Sequence, residues 1–174
     1  TLVFLWSMHI FVFQMDFNRL KNLKMRTMEK KILINLLNEV CSPLGLKRKG
    51  NYWLLHQMEL TQIINLQKSI YGNLYYINYG FKINNLNTDN NMMHIWKRLA
   101  GANKEEVREL FNALDFSYEM NLQNRLSLLR EAIRNKIFGI FQKVHTESDL
   151  VEYIKKRPTM NDIPIVVKEY LGLN

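Results

Sequence analysis

The chain has 174 residues, of which 47% are hydrophobic and 23% charged, enough for one folded domain and hardly two. Its only cysteine, Cys41, excludes an intramolecular disulfide and a cysteine-based zinc site, a usage that fits a reducing cytosol. The net charge of +8 favours contact with nucleic acid, an anionic membrane or an acidic protein.

Residues 1–17, TLVFLWSMHIFVFQMDF, are strongly apolar. A membrane-spanning helix needs about 20 mostly apolar residues, and Ser7, His9 and Gln14 interrupt this run. A signal peptide carries its positive charge before the apolar core, whereas here the basic NRLKNLKMR follows it. Met28 then opens MEKKILINLLNEV as a helix would begin. Residues 1–27 are therefore expected to lie outside the fold, and 28–174 to form a single domain. Membrane contact is expected only if 1–27 belong to the natural protein.

Over 28–42, Ile32, Leu33, Leu36, Leu37 and Val40 recur at helical spacing, and Pro43 and Gly45 end the pattern. Three strand-like runs follow, at 46–56, 60–68 and 74–83. In the last, Tyr75, Ile77, Tyr79, Phe81 and Ile83 share one face by the period of two. Short links between the runs predict an antiparallel meander. The Asn-rich stretch 84–91 reads as a loop, and 92–99 as a fourth strand. Asn103 and Glu106 have the spacing of a helix cap. Residues 121–144 form the strongest helix, through Leu122, Leu126, Leu129, Ile133, Ile137, Ile140 and Val144. Thr146 and Asp149 cap another, and Asp162 and Pro164 open a last short one ending near Gly172. The expected architecture is α+β: an N-terminal helix, a three- or four-stranded antiparallel meander, then C-terminal helices on one face of the sheet.

Motifs with a known mechanism are absent, including GxGxxG, a P-loop, GxSxG and HExxH. His9, His56, His94 and His145 are scattered, without metal-ligand spacing. No cofactor, metal site or catalytic residue is expected. Cys41 follows an apolar helical face and reads as a small buried hydrophobe. Glu105 and Glu106 suit the first turn of a helix, where negative charge meets the dipole. The stretch NLQKSIYGNLYYINYG at 65–80 is the most unusual. If its strands pair, the amides of Asn65, Gln67 and Asn78 could gather on the sheet, as a surface for a partner or as cover for an exposed face. Lys47, Arg48 and Lys49 beside Tyr52 and Trp53, then Lys68, Tyr75, Tyr76 and Lys82, have the composition of a single-strand nucleic-acid groove. Their apolar alternation reads more simply as core.

The runs SPLGLKRKGNYWLL and LTQIINLQKSIYGNLYYINYGFKI resemble the mainly bacterial family of domain of unknown function 4304. The resemblance is carried by Gly45, Lys47, Gly50 and Trp53, by Ile64, Asn65, Gln67, Lys68 and Ser69, by Tyr76, Ile77, Asn78 and Gly80, and by His94, Ile95, Arg98 and Leu99. Leu46 stands where an aromatic is usual. The resemblance covers roughly 28–155 and implies no activity. Similar small proteins are sometimes encoded near toxin systems, which implies an immunity role. The expected function is a cytoplasmic, non-enzymatic protein-binding module whose partner is a protein, with neutralisation of a toxin as the role the resemblance implies. Its candidate binding residues are Asn65, Gln67, Lys68, Asn78 and Arg98. One alternative is a small-ligand binder or enzyme on the strand face around Gln67 and Asn78. A second is a nucleic-acid binder.

Overall fold

The computed structural model describes residues 24–25, 27–88 and 92–173. Two compact units divide the chain, residues 1–35 and 36–174. The apolar segment 1–17 lies outside the described residues, and with it the expectations of an extension or a membrane anchor. Among the described residues no helix is long and apolar enough to cross a membrane.

Residues 27–41 are helical (α1), and Leu33, Leu36, Leu37 and Val40 are buried as their spacing requires. Pro43 sits in a single 3-10 turn, Ser42–Leu44, and Gly45 at φ 78° closes it in the left-handed region that glycine enters without strain.

The sheet has five strands in the order β1-β2-β3-β4-β5, all antiparallel, rather than the three or four expected. They are β1 Lys47–Lys49, β2 Tyr52–His56, β3 Leu60–Lys68, β4 Tyr75–Ile83 and β5 Ile95–Arg98. The extra strand arises because 46–56 is a hairpin. Lys49 pairs with Tyr52 across Gly50 and Asn51, and Gly50 takes φ 64°. A Gly-Asn pair between two strand runs is a two-residue hairpin signal.

Cross-strand pairs share a face, so the register sorts the sheet into two surfaces. One carries Trp53, Leu60, Ile64, Leu66, Ile95 and the five alternating residues of β4 from Tyr75 to Ile83, all of them buried. The helices pack there. Trp53 Nε1 donates to Asn38 Oδ1 on α1 at 2.9 Å, and Phe81 meets Phe141 and Tyr153 edge to face. Gln62 is buried on this surface, and its Nε2 donates to the carbonyls of Phe141 and Val144 at 2.7 and 3.0 Å. It closes a helix end that would otherwise bury unpaired acceptors.

The helical half comprises α2 Lys104–Leu114, α3 Leu122–Ile133, α4 Gly139–Phe141, α5 Glu147–Lys155 and α6 Ile165–Tyr170. Asn103 caps α2 by accepting from Glu106 N, and Thr146 with Asp149 forms a complete capping box on α5. The expected single helix over 121–144 is interrupted by a π turn, Arg134–Phe138. Leu129, Ile133, Ile137 and Phe141 repeat every four residues and are all buried. An ideal helix of 3.6 residues per turn would carry that repeat off the sheet, and the wider π turn holds it on. Phe141 therefore replaces Ile140 in the core, and Leu122 stays exposed.

His94 pins the segment between β4 and β5. Its Nδ1 accepts from Ile83 N at 3.0 Å, so the ring proton is on Nε2, which reaches Thr88 Oγ1 at 2.8 Å. Burial, and secondarily Lys82, holds its pKa below the usual 6.5. The neutral ring is favoured in the fold, so its stability contribution is complete above the unfolded pKa near 6.5. It is lost as pH falls below that and through the depressed folded value. Urea midpoints measured from pH 7.5 down to 5 are expected to fall, and to fall less steeply in His94→Gln. Identical pH profiles for the two proteins would refute this role.

Candidate functional site

The sheet surface opposite the helices collects most of the polar residues singled out in the sequence. The register sets Tyr52, Asn65, Asn78 and Arg98 side by side across β2, β3, β4 and β5. Gln67 and Tyr76 form the next pair along β3 and β4.

These side chains are wired to one another. Arg98 Nε donates to Asn78 Oδ1 at 3.4 Å. Asn78 Nδ2 donates to Asn65 Oδ1 at 3.2 Å and to Gln67 Oε1 at 2.9 Å. Asn65 Nδ2 donates in turn to the carbonyl of Asn51 at 3.3 Å. Both ends of the chain fix its polarity. Arginine can only donate and a backbone carbonyl can only accept, so every amide between them has one allowed orientation. Asn78 is buried, with all its polar atoms used, which explains an amide in the middle of a sheet. The Arg98 guanidinium lies 3.7 Å from the centroid of the Tyr76 ring, a stacked cation–π pair.

Lys68, the fifth candidate, does not join them. It pairs with Tyr75 on the helix-facing surface, its Nζ 5.4 Å from that ring centroid. The odd-even alternation from Gln67 places it there. The basic and aromatic residues of the sequence split in the same way. Trp53 and Tyr75 are core, whereas Tyr52 and Tyr76 are half-buried on the open surface with Lys82, and Lys47 and Lys49 are exposed there.

A concavity of about 630 Å³ lies beside the amide network on the same surface. Tyr52, Leu54, His56, Thr61, Ile63 and Lys82 contribute to its lining, and Gln67, Asn78 and Arg98 do not. Thr61 Oγ1 donates to Asn84 Oδ1 at 2.8 Å, so the His56 Nδ1 proton must point at Thr61 Oγ1, 3.0 Å away.

The concavity and the place of Trp96 on this surface are not legible in the sequence, whereas Tyr52 stands among the basic and aromatic residues singled out there. Trp96 is half-exposed and pairs with Gly80 across β4 and β5, and that pairing has no local signature. Cys41 is fully buried, and burial pushes its thiol up to about 12, which leaves it a hydrophobe and not a nucleophile. Among the described residues no group of three His, Cys, Asp or Glu side chains could hold a metal ion.

A family model described as Domain of unknown function (DUF4304) matches residues 37–143, a span that contains the whole amide network. No curated protein and no solved structure shows a significant match to the chain.

Proposed function

We propose, since this chain belongs to the DUF4304 family, whose description assigns no activity, that it is a protein-recognition module. The open surface of its sheet takes an acidic, acceptor-rich patch of another protein. One observation carries this reading. The strand positions on that surface bear Lys47, Lys49, Lys82 and Arg98 and not one carboxylate. The network consumes its own acceptors internally and leaves donors outward: the terminal nitrogens of Arg98 and the amide nitrogen of Gln67, both exposed residues. Arg98, Tyr76 and Trp96 are also the residue types that dominate binding energy at protein interfaces. If the partner is a toxin, its inhibited surface must be acidic.

The test is capture of a partner from nuclease-treated host lysate on the immobilised full chain, beside Arg98→Glu. Arg98 is exposed, so charge reversal should leave the fold intact by circular dichroism. A stoichiometric protein whose affinity drops about thirtyfold with the reversal is expected. A partner bound equally by both chains refutes this surface.

A second reading is favoured by the three rings of Tyr52, Tyr76 and Trp96 among those lysines. A basic surface with accessible aromatics can stack the bases of a single strand. Labelled oligonucleotide would then bind with an affinity falling steeply with salt, and Trp96→Ala would weaken it.

A further inference from the structure

Beyond β5 the sheet ends in a cleft of about 390 Å³, lined by Trp96, Lys97, Arg98, Arg157 and Asp162. It adjoins the open surface of the sheet, sharing Trp96 and Arg98 with it. Arg157 and Asp162 lie past the family-matched residues.

Arg157 is the unusual member. Its side chain is only 5% exposed. One terminal nitrogen, Nη2, is paired with the Asp162 carboxylate. The other, Nη1, is buried and has no hydrogen-bond partner among the described residues. A buried guanidinium nitrogen with no acceptor is costly, and an arginine presents its two terminal nitrogens in a fork that suits a planar or tetrahedral oxyanion.

The surroundings have the same bias. Lys97 and Arg157 share the cleft with one carboxylate, Asp162, and Arg98 borders it from the opposite face of β5. Lys97 makes no ion pair among the described residues. Its ammonium lies 5.7 Å from the Tyr153 ring centroid. Burial, and then the Arg157 charge, lowers its pKa, while Asp162 opposes them. An anion in the cleft would relieve that repulsion.

We propose that this cleft binds a small oxyanion, a phosphate or carboxylate group, between Arg157 and Lys97 at the edge of β5, with Trp96 against the uncharged part of the molecule that bears it. The group is held and not transformed.

The experiment titrates the full ¹⁵N-labelled chain with inorganic phosphate or with acetate at constant ionic strength, following the Trp96 indole and Arg157 Nε–H resonances. Saturable shifts with phosphate alone identify a phosphate site, and saturable shifts with acetate as well identify a carboxylate-tolerant one. Lys97→Met, which removes a cation from a partly exposed position, is expected to weaken binding about tenfold. Arg157→Ala is expected to abolish it. Should that variant fail to fold, Lys97→Met alone decides. The proposal is overturned if neither anion gives saturable shifts, or if Lys97→Met leaves the binding curve unchanged.

Discussion

Arg125→Ala is expected to lower the unfolding free energy by about 3 kcal/mol or more, a fall of about 10 °C in Tm for a chain of this size. Arg125 is 4% exposed. Its Nη1 donates to the carbonyls of Asn112, Ala113 and Asp115 at 3.1, 2.6 and 3.0 Å, and its Nη2 to that of Tyr118 at 2.7 Å. The first three belong to the C-terminal end of α2 and the residue after it, where helical carbonyls have no partner in the helix. The guanidinium also sits 4.5 Å from the centroid of the Phe116 ring. One side chain on α3 therefore satisfies the end of α2 and neutralises its negative dipole. Alanine would leave several acceptors without a donor and a void the size of the side chain. Arg125→Lys should recover only part of the loss, because a single ammonium cannot span four carbonyls. Urea unfolding measures both, and a lysine variant as stable as the wild type would disprove the fork argument.

Gly80→Ala is expected to be about as damaging, by a different route. A Cβ on Gly80 would stand 2.0 Å from the carbonyl oxygen of Ile95 and 2.7 Å from Cα of Trp96. Both are backbone atoms of β5, so no side-chain rotation relieves the clash and the strand itself must move. Overpacking of this kind costs about 3 kcal/mol. Moving β5 also draws Arg98 away from Asn78, so partner capture should fail together with stability. Amide hydrogen exchange should show protection lost first at Ile95–Arg98. Gly139 supplies the contrast. It is helical, at φ −60° and ψ −28°, and a Cβ there meets nothing within 4 Å. Gly139→Ala should therefore be neutral or stabilising by up to about 1 kcal/mol. If the two alanine variants unfold at the same midpoint, the close approach of β5 is not what selects glycine at position 80.

Much of the architecture was legible because it is written in local periods. The alternation from Tyr75 to Ile83 marked the buried face of β4, and all five residues are core. Asn103, Thr146 and Asp149 marked helix starts because a cap is a contact across three residues. The hairpin at Gly50 and Asn51 was equally local. Its first arm, Lys47–Lys49, is only three residues long and entirely basic, so it carries no apolar alternation to mark it as a separate strand. The π turn was not legible, since a four-residue repeat is compatible with an ordinary helix until the sheet beneath it is in place.

The sequence by itself determined the order of helix, strands and helices, and which side of β4 is apolar, since both follow from periods within a few residues. It also marked Asn65, Gln67, Asn78 and Arg98 as polar residues at strand positions. Only the tertiary structure decided that these four meet and that Lys68 does not. It also decided that Arg125 closes another helix and that Arg157 lies buried beside Lys97. Those outcomes depend on register and on partners up to 20 residues apart for Arg98 and Asn78, and on the helices for the rest. A side chain's type states what it can bond. Which acceptor stands opposite it is fixed by how distant strands and helices are laid together, and no local period encodes that.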